Sequence, residues 1–193
     1  WRSRVRGLPE FGGEYPVVAL CEEIETAGEG QIRGLITLAG NPVLSTPNGR
    51  RLEQALGKLE LMVSIDLYRN ETSRHAHTIL PPTSQLEQSH YDLALSAFAV
   101  RNTAKHSPAL FAPPAGAMAD WQILLELSSR LAKRRGGVAA LAAPLAKAAL
   151  GRAGPDGILD QLLRWGPYGK RSAGGLSLKK LATSPPASIW GRS

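Results

Sequence analysis

With 193 residues, 43% of them hydrophobic, the chain is long enough for one α/β domain with a core and an appendage, and too short for two large domains. Its single cysteine, Cys21, excludes an internal disulfide and a zinc or iron-sulfur site built from several of its own thiolates. The net charge of +7 hides a division: residues 1–124 hold 11 Lys/Arg against 13 Asp/Glu, and residues 125–193 hold 12 against 3, so the basic excess belongs to the tail.

No apolar run is long enough to predict a membrane span, and Trp1 to Arg6 lacks the apolar stretch of a signal peptide. These features read as a cytoplasmic chain, with a periplasmic placement left open. A chain that opens on Trp1 in mid-pattern reads as part of something longer. The tail's basic groups, Lys133-Arg134-Arg135, Lys170-Arg171 and Lys179-Lys180, sit in Ala-, Gly- and Ser-rich sequence without interleaved aromatics. That pattern suits a solvated flank, or a surface for an acidic part, better than a nucleic-acid site.

In chain order, residues 1–30 form a Gly/Pro-punctuated lead-in with one helical piece from Val17 to Thr26. Ile32 to Leu38 is an apolar run that predicts a buried parallel strand ending in Ala39-Gly40-Asn41-Pro42. Leu52, Ala55, Leu56 and Leu59 repeat at helical spacing, which predicts a helix from Arg50 to Leu59 with Asn48 as its N-cap. Leu61 to Ile65 is a second strand, released into Asp66. Asn70 to Ala76 spans two helical turns, and Thr78 to Leu80 is a third strand stopped by Pro81-Pro82. Alternating strand and helix predicts a parallel sheet with helices on its faces. Beyond Glu87, Ala97 to Asn102 reads as extended and Pro108 to Gly116 as a loop. Asp120 opens a helix whose apolar stripe is Trp121, Leu124, Leu125, Leu127 and Leu131, closed by Gly136-Gly137. Val138 to Leu150 and Asp156 to Trp165 are further helices, and Gly166 to Ser193 is expected to be poorly ordered.

The run Gly34-Leu-Ile-Thr-Leu-Ala-Gly-Asn-Pro-Val-Leu-Ser, then Val63-Ser-Ile-Asp-Leu-Tyr-Arg-Asn-Glu-Thr with Ile79-Leu-Pro-Pro, then Leu86-Glu-Gln-Ser-His-Tyr-Asp, resembles the molybdopterin oxidoreductase family. Formate dehydrogenases, nitrate reductases and dimethyl sulfoxide reductase belong to that family. The resemblance covers about residues 30 to 135. It implies a doubly wound parallel sheet with flanking helices, partial, over 31–135, between the lead-in and a helical basic extension at 136–193. It also implies a bacterial fragment of a catalytic subunit that helps bind a molybdopterin guanine dinucleotide, two of which hold one molybdenum or tungsten in the complete protein. The family's iron-sulfur cluster would lie in an N-terminal part, and the partners would be the remainder of the same subunit and an electron-transfer subunit. Neither the metal ligand nor a catalytic side chain is present, so the isolated chain is expected to be inactive.

By motif, the resemblance carries cofactor contact onto Asn41, onto Ile65 and Asp66 at the guanosine end, and onto Gln88 and Asp120. The residue types suit that work. A carboxylate at a strand tip accepts from ribose hydroxyls or a guanine edge, and Asn offers a donor and an acceptor on one short stem. Plainer roles exist for each: Asn41-Pro42 as a turn, Asp120 as a helix cap, Asn70 and Thr72 as caps, and Glu87 as a loop brace. His75, His77, His90 and Asp92 have metal-ligand types but no ligand spacing. His77 stands where the family pattern usually has aspartate. The rival reading is a non-catalytic nucleotide-binding or assembly module whose tail holds an acidic partner.

Overall fold

The computed structural model describes residues 2–93, 95–100, 103–169, 175–183 and 188–189. It divides into two compact units, Trp1–Pro82 and Thr83–Ser193, each taken by itself below.

The first unit is built on a parallel sheet in the order β1 (Gly34–Leu38), β2 (Leu61–Ile65), β3 (Thr78–Ile79). Strand side chains alternate between faces. In the observed register Leu35 and Thr37 therefore share one face with Met62 and Ser64. Helices α1 (Leu20–Glu25) and α3 (Gly49–Leu56) cover that face. Their apolar stripes supply Cys21, Ile24, Leu52, Ala55 and Leu56, which close over Met62. Burying side chains of this size stabilises by about 1.5–3 kcal/mol each, taken as an upper range. On the opposite face Ile36, Leu38 and Leu61 stay about half exposed.

The lead-in belongs to this core. Arg4 Nε meets Glu23 Oε2 at 3.2 Å, Arg6 Nε meets Glu22 Oε1 at 2.6 Å, and the Val5 amide donates to Glu23 Oε1 at 2.9 Å. Both carboxylates are buried, so removing either arginine would leave a charge without its partner. Through α1 the lead-in packs on the sheet that follows it. Burial pushes the Cys21 thiol above its usual range, with Arg51 opposing, as suits a small core side chain.

Asn48 stands at the N-cap position of α3, as expected, with a left-handed backbone (φ 60) and no side-chain cap bond. One local expectation is corrected here. Asn70 to Ala76 forms a looped segment with a short 3-10 turn at Ser73–His75 in place of two helical turns. Between the first two strands a helical turn, α2 (Pro42–Ser45), follows Asn41 directly.

The second unit carries short antiparallel pairings, β4 (His90–Tyr91) with β6 (His106–Ser107) and β5 (Thr103–Ala104) with β7 (Ser188–Ile189). Three helices follow or intervene: α4 (Asp120–Arg135), α5 (Gly137–Trp165) and α6 (Leu178–Thr183). Gly136, with φ 75, ends α4 as expected, and α5 breaks at Gly154 (φ 60), between the two helical pieces read from sequence. Glu126 of α4 pairs with Arg130 and with Lys147 of α5. Those donors, Lys147 first, lower its carboxyl to about 2. The apolar stripe expected on α4 differs in detail, since Ile123 and Ser129 are buried while Leu131 is exposed.

Ala97 lies in a 3-10 turn, Leu95–Phe98, and not in an extended segment, whereas Arg101 and Asn102 fall outside the described residues. Of the stretch expected to be poorly ordered, Leu178–Thr183 is helical and Leu181 is buried with Ala104 and Leu176. Residues 170–174, 184–187 and 190–193 fall outside the described set. Among the described residues no helix is long and apolar enough to cross a membrane.

Candidate functional site

Parallel strands release their chain ends on one edge of a sheet, where ligands of open α/β folds bind. In the first unit β1 and β2 end side by side, and the Ala39 amide donates to the Ile65 carbonyl at 2.9 Å, tying the two tips together. Ala39 does this at φ 47, a left-handed angle unusual for a residue with a Cβ. Asn41 and Asp66 thus follow neighbouring tips.

Asn41 is engaged at both ends of its side chain. Its Nδ2 donates to Glu71 Oε2 at 2.7 Å, and its Oδ1 accepts from Thr72 Oγ1 at 2.8 Å. The Thr72 hydroxyl in turn accepts from the Val43 amide at 3.0 Å. The Asn41 bond holds the Glu71 carboxyl below its usual range, with a backbone bond assisting. Asn41 therefore clasps the loop after β2 to the turn after β1.

Asp66 is 8% exposed. Its Oδ1 accepts from the Tyr68 amide and its Oδ2 from Asn70 Nδ2, each at 3.0 Å. Ile65 is fully buried, so its side chain lies in the core and not at the rim. The residue that organises this loop is Asn70. Besides binding Asp66, its Oδ1 accepts from the amides of Thr72 (3.0 Å) and Ser73 (2.8 Å), and its own amide donates to Ser73 Oγ at 2.8 Å. That is the capping role its residue type suggests. Sequence reasoning named the cap and missed the bond to Asp66.

His75 and His77 serve structure. His75 Nε2 lies 3.4 Å from Glu53 Oε1, beside the ion pair of Glu53 with Arg74. His77 Nδ1 accepts from the Met62 amide at 2.9 Å, while the His77 amide donates to the Met62 carbonyl at 2.8 Å. An acceptor at that position is what an aspartate would also supply.

Gln88 and Asp120 lie in the second unit. Gln88 Nε2 donates to the Thr83 carbonyl at 3.0 Å, and the residue borders a cleft of about 370 Å³ with His90 and the buried His106. Asp120 is the first residue of α4 rather than its cap. Its Oδ1 accepts from the Trp121 amide, and Gln122 Oε1 accepts the N–H of Ala119, the residue at the cap position. Glu87 braces its loop through the Ser84 amide at 2.8 Å. Nearby, Ser89 Oγ donates to Asp156 Oδ1 at 2.6 Å and His106 Nε2 lies 3.7 Å from the same oxygen. The carboxylate, not the imidazole, is in the middle, so this is no nucleophilic triad.

Compared with known proteins, the sequence matches the molybdopterin oxidoreductase family over residues 6–130. The chain belongs to that family. It is 35% identical over 135 residues to the assimilatory nitrate reductase catalytic subunit of Bacillus subtilis, covering 70% of this chain and 18% of the relative. It is 33% identical over 124 residues to the NADPH-Fe(3+) oxidoreductase subunit alpha of Geobacter sulfurreducens, covering 63% and 14%. An F420-dependent formate dehydrogenase 1 subunit alpha of Methanococcus maripaludis shares 27% identity over 114 residues, covering 59% and 16%. The chain thus spans less than a fifth of the length of these relatives. Among solved structures, acetylene hydratase from Pelobacter acetylenicus superposes with a TM-score of 0.52 at 20% identity, covering 58% of this chain and 15% of the other, a likeness of fold.

At the two strand tips Asn41, Asp66, Asn70, Glu71 and Thr72 bring two carboxylates and neutral hydrogen-bonding groups, Arg69 of the same loop is exposed, and the nearby Arg74 is paired with Glu53. Carboxylates and amides of this kind accept from hydroxyl and N–H groups.

Proposed function

We propose that the chain forms part of a molybdopterin-dependent oxidoreductase and holds the guanosine end of a molybdopterin guanine dinucleotide at the tips of β1 and β2. The observation that carries this reading is the pair of neighbouring parallel strand ends, tied together by Asn41 and carrying Asp66, which Asn70 fixes within the loop after β2. When bound, the metal and pterin supply electron or oxygen-atom transfer; the residues described here orient the nucleotide. On the second unit, taken by itself, the family resemblance carries cofactor contact onto Gln88 and Asp120.

Two proposals extend the reading to the complete subunit. Parallel sheets are normally covered on both faces, and the half-exposed Ile36, Leu38 and Leu61 fit a doubly wound sheet whose second layer comes from the rest of the subunit. In that subunit two dinucleotides would hold molybdenum or tungsten, an iron-sulfur cluster would sit on another segment, and electrons would pass to a separate subunit.

The test is calorimetric titration of the purified chain with guanosine diphosphate and with molybdopterin guanine dinucleotide. Saturable binding that Asp66→Ala and Asn70→Ala each weaken supports the reading. Absence of binding, or wild-type affinity in both variants, refutes it.

A further inference from the structure

The family match covers residues 6–130 and α5 begins at Gly137, so this helix lies beyond the match and carries none of the residues assigned above to the nucleotide. Its first segment, before the break at Gly154, turns one side to α4. Lys147 pairs there with Glu126, and Leu150 borders an apolar groove with Trp121 and Leu125. At about 100° per residue, Val138, Leu141 and Leu145 fall on the other side, and they are 82%, 80% and 75% exposed. Large aliphatics scattered singly need no explanation, whereas a contiguous stripe of them marks an interaction surface. Exposed Ala142 and Ala149 flank the stripe, leaving it shallow enough for another helix to approach closely.

The surroundings are cationic. Between Glu126 and Asp156 the sequence has Arg130, Lys133, Arg134, Arg135, Lys147 and Arg152 and no carboxylate. Only Arg130 and Lys147 of these make an ion pair among the described residues. Residues 137–153 contain no aromatic side chain to anchor the stripe in a lipid surface, for which vesicle competition is the direct test. A nucleic-acid site would place its cations, not aliphatics, at the centre.

We propose that the outward face of α5, centred on Val138, Leu141 and Leu145, docks an acidic amphipathic helix of a partner protein. Its apolar side chains seat on the stripe, and its Asp and Glu residues meet Arg134, Arg135 and Arg152. The apolar contact supplies affinity, and the charges supply orientation and association rate.

The probe is a fluorescein-labelled synthetic helix with leucine on one face and glutamate on the other, titrated into the full chain by anisotropy. A second peptide carries lysine for glutamate, and vesicles of phosphatidylglycerol with phosphatidylcholine and a DNA duplex serve as competitors. The glutamate helix is expected to bind saturably and more weakly as salt rises. Binding should fall about tenfold or more in Leu141→Asp/Leu145→Asp and several-fold in Arg134→Glu/Arg135→Glu, with helix content by circular dichroism unchanged. Leu141→Gln/Leu145→Gln provides the same test should the aspartates lower helix content. Four results would overturn the proposal: no binding of the glutamate helix; binding that survives both leucine pairs in folded protein; equal or tighter binding of the lysine peptide, vesicles or DNA; or light scattering that shows a dimer of the chain, broken by the leucine substitutions.

Discussion

Replacing Asn70 with alanine tests the site where it is most tightly built. The side chain donates to Asp66 Oδ2 and accepts from the amides of Thr72 and Ser73, both of which are 0% exposed. Alanine leaves those amides and one carboxylate oxygen without their partners. A buried group left unsatisfied costs about 1–3 kcal/mol, and loss of a cap costs about 1 kcal/mol. Because these contributions share one loop they are not additive, and a local loss of about 3 kcal/mol is expected. At about 1.4 kcal/mol per tenfold, the Thr72 and Ser73 amides should exchange with solvent roughly a hundredfold faster, up to the limit set by global unfolding. Amide exchange read by NMR measures this directly, with the Leu52 amide in the core of the same unit as the reference. If Thr72 and Ser73 exchange within about threefold of wild type, Asn70 is not the hub of the loop. In a double-mutant cycle with Asp66→Ala, the coupling should be about 1.5–3 kcal/mol, as for a hydrogen bond to a charged group.

Three further outcomes follow from single contacts. Gly49→Ala would ordinarily gain up to about 1 kcal/mol in a helix, but its Cβ would run into the Val43 carbonyl, so a loss of about 1–3 kcal/mol is expected in urea denaturation; a gain refutes the clash. His77→Asp keeps an acceptor for the Met62 amide and should melt near wild type, while His77→Leu should lose about 1–3 kcal/mol; equal melting of the two variants excludes the ring as the partner. The Leu178 amide, assisted by Arg164, holds the Asp160 carboxyl below its usual range. A depressed folded value means the anchoring of α6 is fully present above the unfolded value near about 3.9 and is lost as pH falls through the folded value. Amide exchange in α6 should therefore accelerate on acidification, and Asp160→Asn should remove that dependence.

The parts of the fold that were legible are those with a period. Leu61 to Ile65 matches β2 residue for residue, and Leu52, Ala55 and Leu56 lie on the buried face of α3. The pairing of β4 with β6 was not legible, because a ladder of two residues per strand has no period to read. Nor was the buried side of α4: helical spacing identifies an apolar arc, but the neighbouring helix selects which part it covers, here Ile123 over Leu131. In the site, Asn41 and Asp66 were singled out by the motif resemblance, which their types suit, and the structure shows both engaged with the chain itself. Asp66, Asn70, Thr72 and Ser73 are all capable of capping, so composition leaves several equivalent networks. Only the meeting of Asn41 with Glu71 and Thr72 across the two tips chooses among them.

Under the proposed function, that internal engagement bears on which part of a guanosine Asp66 would meet. A guanine edge presents two N–H groups in one plane and needs a lone pair on both carboxylate oxygens directed the same way, whereas the Tyr68 amide and Asn70 already take one on each oxygen. A ribose hydroxyl needs a single lone pair, and each carboxylate oxygen retains one after its internal bond. The narrow opening left by 8% exposure favours the smaller group for the same reason. Inosine diphosphate, which lacks the guanine amino group, should therefore bind the chain as well as guanosine diphosphate does. Its 2′-deoxy and 3′-deoxy counterparts should separate: whichever removes the hydroxyl facing Asp66 loses about 1.5–3 kcal/mol, a fall of roughly ten- to a hundredfold by calorimetry. Weak binding of inosine diphosphate with no loss for either deoxy analogue would mean that the base, not the sugar, displaces Asn70 from the carboxylate.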